Sequence, residues 1–265
     1  MDTETVEVDR RELEEKVKQV YRAVALNPTG SYHFKMGRGL AEQLGYPPQL
    51  LDTIPAGALE SFAGVGYFFD LADLIPGEKV LDLGSGSGTD VFSAAAMVGT
   101  TGRVVGLDMT EEQLDKAERL RNAGGYPHVT FTKGRIEGLP FADGSFDCVI
   151  SNGVINLSPD KPSVFREAAR VLRPGGRLAI ADIVTAVPLT AKIVCNTDLW
   201  AACIGGAAQT DSYQETIAGA GFTIETSRAN SYEFISDRAQ AATAKYGVSS
   251  VSFLARKGAL DPAPK

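Results

Sequence analysis

Cysteine is scarce in this chain. The 265 residues hold three, Cys148, Cys195 and Cys203. An odd count without C-x-x-C spacing argues against a disulfide framework and predicts a reduced, cytoplasmic protein with no metal site. Histidine is scarcer still, with only His33 and His128, so no Ser/His/Asp order or histidine-rich ligand spacing stands out. No run of 18 apolar residues occurs, which predicts no transmembrane helix. The opening stretch MDTETVEVDRRELEEK is polar and acidic and lacks a signal-peptide core. Basic residues are outnumbered 26 to 33, for a net charge of −7. That balance disfavours nucleic acid or an anionic membrane as partner.

Glycine, by contrast, is plentiful, and the chain is organised around one cluster of it. Val80-Leu81-Asp82-Leu83 reads as a buried parallel strand. Gly84-Ser85-Gly86-Ser87-Gly88 follows, a loop in which glycine permits a sharp turn and the close approach of a ligand. Thr89 to Val98 reads as a helix with an Ala-rich packing face, and Arg103 to Leu107 as a second strand ending in Asp108. An acid at that tip is placed to accept both hydroxyl protons of a ribose. Strand, loop, helix, strand and acid together ask for a nucleoside. The dinucleotide fingerprint is G-x-G-x-x-G, with pyrophosphate on the helix N-terminus. Here the spacing is G-x-G-x-G with Asp82 inside the strand, so Asp82 and the loop amides can serve a zwitterionic tail instead.

The rest of the chain alternates strand and helix signals. Asp9 to Leu26 is a charged helix with a stripe of Val17, Val20, Tyr21 and Val24. Tyr21 reads either as a stripe residue covering the domain or as an aromatic packing near a cation. Asn27 to Ile75 is broken into short pieces, including a helix at Pro47 to Leu51 and a glycine-rich turn at Ser61 to Tyr67. That turn is either a rim of the cofactor mouth or a linker. Thr110 and Gln113 have capping-box spacing at the start of a helix running to about Ala123. Further strands are expected at Val129 to Lys133, Phe146 to Ser151, Arg177 to Asp182, Phe222 to Ser227 and Ser249 to Arg256, the last two forming an antiparallel edge. Arg173-Pro174-Gly175-Gly176 is expected to stop the preceding helix, and Pro188 to Ala202 to form an inserted one. The fold class is α/β, a doubly wound, mostly parallel seven-stranded sheet. The expected division is an N-terminal helical cover over 1–75, a nucleoside-binding domain over 76–257 with an insert at about 185–212, and a flexible tail over 258–265.

The phrases VLDLGSGSG, LDMTEEQL, LPFADGSFDCVISN and VLRPGGRL, in that order and spacing, resemble class I S-adenosylmethionine (SAM) methyltransferases with their Rossmann-like fold. GLDMTEEQL, SNGVINLSPDK and DLWAACIGGA are similar, more narrowly, to arsenite methyltransferases over roughly residues 60 to 257. The resemblance implies SAM as cofactor, held by Tyr21, Asp82, Gly84, Ser85, Gly86, Asp108, Met109, Arg135, Ile136, Glu137 and Asn152. It implies transfer of methyl to a small-molecule acceptor, in a protein for which a homodimer is an open arrangement.

In the arsenite family cysteine thiolates hold As(III). The family's SNCVINL cysteine falls on Gly153 here, its C-x-G-G-A cysteine on Cys203, and no cysteine precedes Cys148. A thiophilic metalloid needs two or three converging thiolates. Cys195 and Cys203, eight apart, would be separated by about 12 Å along one helix. Cys148, mid-strand, reads as a small buried hydrophobe. The main expectation is therefore a small-molecule methyltransferase, followed by an arsenite methyltransferase with a reduced cysteine set and a SAM-binding protein that transfers nothing. Cys203 and His33 are the candidate acceptor-side groups. His33, between Tyr32 and Phe34, reads as a proton acceptor or as a partly exposed polar residue; His128 reads as structural.

Overall fold

The computed structural model describes residues 9–194, 196, 199, 200 and 204–258. Its N-terminal part is helical: α1 (Arg10–Leu26), α2 (Arg38–Gln43), α3 (Pro48–Leu51), α4 (Ala56–Leu59) and α5 (Phe69–Ala72). Then follow β1 (Lys79–Leu83), α6 (Thr89–Val98), β2 (Arg103–Asp108), α7 (Glu111–Gly124), β3 (Val129–Lys133), β4 (Phe146–Asn152), α8 (Lys161–Val171) and β5 (Leu172–Thr185). After a two-residue β6 (Ala208–Gln209) come β7 (Phe222–Ala229) and β8 (Ser249–Lys257), each preceded by a helix, Thr210–Gly219 and Asp237–Tyr246.

The strands form one sheet in the order β3-β2-β1-β4-β5-β8-β7. β1 to β5 run parallel, and β8 is antiparallel to both β5 and β7. This is the doubly wound sheet with an antiparallel edge that the sequence predicts. The strand count differs by one, because β6 adds a short parallel pairing, Val184 with Ala208 and Thr185 with Gln209, off the end of β5. β1 is bordered by β2 and β4, with Leu83 opposite Leu107 on one side and Ser151 on the other. The carboxyl ends of three strands thus meet where the glycine loop begins. Ligands of such sheets bind at this topological switch point.

Three local expectations are corrected. β5 starts at Leu172, straight after α8, so Arg173-Pro174-Gly175-Gly176 belongs to a strand. A bulge opposite Phe146 and Cys148 absorbs the irregular backbone. Thr110 sits at the N-cap of α7, but its hydroxyl does not cap; its N–H instead donates to Asp108 at 2.8 Å. Gln113, freed from any capping box, is 2% exposed and bridges two elements. It accepts from the Ser87 hydroxyl at 2.5 Å and donates to the Tyr21 carbonyl at 2.8 Å. Of the helix expected over 188–202, Ala191–Val194 is one turn, and the Trp200 indole N–H turns back to the Val194 carbonyl at 2.5 Å. Cys195 and Cys203 lie outside the described residues, as do 259–265 of the expected tail.

The N-terminal helices lie over the sheet's carboxyl end for identifiable reasons. Asp9 caps α1 by accepting from the N–H groups of Arg11 and Glu12 at 2.9 and 3.1 Å. Leu13, Val17 and Val24 then form the buried stripe, with Tyr21 half-buried beside it. α1 rests on α7, joined by Arg22–Glu112 at 2.8 Å. The shorter pieces close around Tyr46, whose ring meets Phe62 and Tyr67 at centroid distances of 5.2 and 4.9 Å. The 61–67 turn is clamped. Asn152 Oδ1 accepts from Val65 and Gly66 N–H at 2.7 and 3.2 Å, and the Ser250 hydroxyl donates to the Val65 carbonyl at 2.6 Å. Arg228 grips Asp70 and the Tyr67 carbonyl.

Candidate functional site

A cleft of about 1160 Å³, counting its mouth, opens at the carboxyl ends of β1, β2 and β4. The residues expected to hold a cofactor line it: Tyr21, Asp82, Gly84, Ser85, Gly86, Asp108, Met109, Arg135, Ile136, Glu137 and Asn152. Ser61, Phe62, Ala63 and Gly64 line it too, so the second glycine-rich turn is a rim and not a linker.

The glycine loop has a specific internal wiring. The N–H groups of Gly84 and Ser85 both donate to the Leu107 carbonyl, at 2.8 and 3.0 Å, which binds the loop to β2. Gly86 N–H donates to the Asp108 carboxylate at 2.9 Å. The amides expected to serve a ligand's tail are therefore already occupied, and the loop offers no anion-binding nest at these positions. The glycines have different tasks. A Cβ on Gly84 would lie 2.5 Å from both methyls of Val154, whereas one on Gly86, at φ +51°, would meet nothing nearer than Gln113 at 3.8 Å. Gly84 is required by packing, while Gly86 faces open cavity.

Acids predominate in the cleft: Glu14, Asp82, Asp90, Asp108 and Glu137 line it against Arg10 and Arg135, the latter paired with Glu14. Asp82, Asp90 and Asp108 all line it, the first two only 2% and 6% exposed. Burial pushes the Asp82 carboxyl well above the carboxylate range, and the charges of Asp90 and Asp108 push it further. Burial takes Asp90 up to about 6, against hydrogen bonds from Tyr46 and Asn152. Asp108 is raised by burial and partly restored by the amides of Thr110 and Gly86. Among the described residues, no cationic side chain is a main influence on any of the three. The Ser85 hydroxyl is buried without a partner among the described residues. Such a donor set fits a nucleoside that carries positive charge and no phosphate; pyrophosphate would meet repulsion here.

At the mouth, α1 is tied across the cleft. Arg135 pairs with Glu14 at 2.6 Å and lies 3.8 Å from Glu137, which accepts from the Ser158 hydroxyl at 2.6 Å. Tyr21 stacks on Phe34 with centroids 6.3 Å apart. Asn152 lines the cleft, but its amide is saturated: Oδ1 accepts from the rim amides, and the two N–H groups of Nδ2 are shared among three acceptors, Tyr46 Oη at 3.1 Å, Gly66 O at 3.0 Å and Asp90 Oδ2 at 3.0 Å. It holds the wall in place and has no free donor for a ligand.

Some expected groups lie elsewhere. His33 does not line the cleft; its ring meets edge-on, at 4.6 Å, the Phe34 ring that stacks on Tyr21. Cys203 lies outside the described residues. Cys148 is buried in the core, its thiol pushed up to about 12 by burial. His128 contacts the Ala95 carbonyl at 3.4 Å, away from the cleft. Sequence reading missed Glu14, Asp90 and Gln113. Asp90 alone carried a local signal, as an acid directly after the glycine loop in the first turn of a helix.

A methyltransferase-domain family model matches residues 74–221, more than half of the chain. The arsenite methyltransferase of Halobacterium salinarum is 42% identical over 199 residues, 74% of this chain and 51% of that protein. The arsenite methyltransferase of Aquipseudomonas alcaligenes is 44% identical over 161 residues, 57% of this chain and 45% of that protein. The chain thus spans about half the length of the curated relatives it matches. The crystal structure of an arsenic(III) S-adenosylmethionine methyltransferase from Chlamydomonas reinhardtii superimposes with a TM-score of 0.62 at 30% identity, covering 84% of this chain and 74% of that one.

Proposed function

This chain belongs to the class I SAM-dependent methyltransferases, and from that premise we propose that it transfers the methyl group of SAM to a small-molecule acceptor. One observation carries the reading: the cleft at the switch point is lined by three carboxyls, Asp82 and Asp90 buried and Asp108 half-buried, with no ion pair to a cationic side chain among the described residues, and its loop amides are occupied. That arrangement suits a cationic cofactor without phosphate. Bound there, SAM supplies an electrophilic methyl on sulfur. The protein's part is to align a nucleophile behind that methyl and to keep water out.

Each element then has a task. Asp108 ends β2 and offers its remaining lone pairs to ribose hydroxyls. Asp82, whose carboxyl receives no hydrogen bond from the described residues that would favour its charged form, faces the cationic portion. Met109 and Ile136 give apolar walls for the base. Tyr21 and the Glu14–Arg135 pair close the mouth from α1, which excludes water. The N-terminal cover over 1–75 and the insert at about 185–212 hold the acceptor, with Cys203 as its candidate group; His33, which does not line the cleft, is set against Phe34. A reduced cytoplasmic setting accords with the sparse cysteines.

Arsenite is the second reading, favoured by the relatives at 42 and 44% identity. Against it stands Gly153, which occupies the position of the family's cysteine at φ +72°. A Cβ there would lie 3.0 Å from Val65. Val65 thus crowds the position where that family has sulfur.

Calorimetric titration with SAM, beside NAD as control, tests the cofactor; transfer of labelled methyl into a small-molecule pool tests the reaction. SAM binding and label in low-molecular-weight product are expected. Binding of NAD in preference to SAM would overturn the reading.

A further inference from the structure

Asp90 stands apart from the acids that the sequence singles out. It is the second residue of α6, in the first turn, and lines the cleft while 6% exposed. Both its oxygens are held by elements outside its own helix. Oδ1 accepts from the Tyr46 hydroxyl at 2.5 Å, and Oδ2 accepts from the Asn152 amide at 3.0 Å. Tyr46 is fully buried in the N-terminal cover, and Asn152 ends β4. The titratable groups facing Asp90 are Tyr46 from the cover, Asp82 from β1 and Tyr67 from the rim; Asp108 on β2 faces Asp82 in turn. None of them brings positive charge.

A buried carboxylate in that company ionises at a cost that two hydrogen bonds only partly offset. A cation entering the cleft offsets the remainder, and the helix N-terminus assists. On the reading that the cofactor is SAM, we propose that Asp90 is a cofactor-recognition residue: the cofactor binds with the Asp90 carboxylate ionised, and the Tyr46 hydroxyl sets how readily it ionises. Proton balance follows. The Asp90 carboxyl releases its proton to solvent as the cation enters, so the net charge of the buried group is conserved. The cover, which packs on the acceptor side, thereby reaches the cofactor through a single hydroxyl.

The test is calorimetric titration of SAM into the whole chain at pH 5, 6 and 7, in buffers of different ionisation enthalpy. For the wild type, net proton release near pH 6 and an affinity about tenfold lower at pH 5 than at pH 7 are expected for one linked carboxyl. Tyr46→Phe keeps the ring among Phe62, Tyr67 and Phe69 but removes the donor. Its affinity loss should begin at higher pH, with proton release persisting at pH 7. Asp90→Asn should bind without proton release, at about the wild type's acid-limb affinity. If Asp90→Asn does not fold, Tyr46→Phe carries the test. Asp82→Asn separates the neighbouring acid: release that survives in it supports the proposal. Release abolished by Asp82→Asn and unchanged by Tyr46→Phe overturns it. Proton-neutral SAM binding by the wild type overturns the inference and leaves the function standing. No SAM binding at any pH overturns both. S-adenosylhomocysteine, in the same titrations, tells whether the recognised charge is the sulfonium or the ammonium, and release with either supports the proposal.

Discussion

Gly86 and Asp108 are joined by a hydrogen bond, the glycine N–H donating to the carboxylate at 2.9 Å. The glycine loop after β1 and the tip of β2 therefore form one rigid unit, with Thr110 N–H on the other carboxylate oxygen at 2.8 Å. Asp108→Ala removes an acceptor for the cofactor and an anchor for the loop. SAM affinity should fall by about 1.5–3 kcal/mol, the usual loss for a charge-assisted hydrogen bond. Unchanged calorimetric affinity in a folded variant would refute the ribose assignment.

The two cleft glycines separate binding from folding. Gly86→Val places its side chain in the cavity at φ +51°. The apo protein should lose about 1–2 kcal/mol, the cost of a left-handed backbone, while SAM binding is abolished. Gly84→Ala drives a methyl against Val154 instead and should destabilise the apo protein by about 1–3 kcal/mol beyond the strain of its backbone. Thermal unfolding with and without SAM checks both. A Gly86→Val protein that still gains stability on adding SAM would show that the loop is not the site.

The acids of the cleft also predict a stability profile. A carboxyl raised on folding holds its proton more tightly in the folded state than in the unfolded one. For Asp90, between the ordinary value of 3.8 and about 6, stability therefore falls as pH rises. Asp90→Asn should stabilise the apo protein at pH 8 by about 3 kcal/mol, with little gain at pH 4, since each tenfold change in proton affinity is worth about 1.4 kcal/mol. Urea unfolding at the two pH values measures this. A gain of equal size at both would place its origin in packing and not in charge.

Arsenite should be a poor substrate of the wild type. Gly153 offers no thiolate, and Val65 fills the space a side chain would take. Gly153→Cys alone should cost about 1–2 kcal/mol through its left-handed backbone. Combined with Val65→Ala, which makes room, it should improve As(III) retention against competing free thiols. Methyl transfer to arsenite is the assay, beside Cys203→Ser. Efficient turnover by the wild type, lost in Cys203→Ser, would restore the arsenite chemistry.

The strands, their doubly wound class and the core of the cofactor cleft were legible in the order of residues. Asp82, the glycine loop and Asp108 lie within one β-α-β unit, and backbone geometry over so short a span leaves little choice about where they meet. The near-continuous apolar runs of β1 and β2 marked them as buried parallel strands, and the carboxyl ends followed. Which of those groups remain free was settled by contacts between distant segments. The loop amides turn inward because Leu107 and Asp108 lie within reach across the strand pairing, which no spacing in one strand reveals. Gln113 abandons a capping box because Ser87 and Tyr21 offer it two partners in a buried place. Asn152 is consumed by the rim and by Tyr46, which is 106 residues away. Asp90 acquires its character from that same distant tyrosine. Local pattern fixes which atoms a segment presents; burial and the partners brought from elsewhere in the chain fix their charge and their availability.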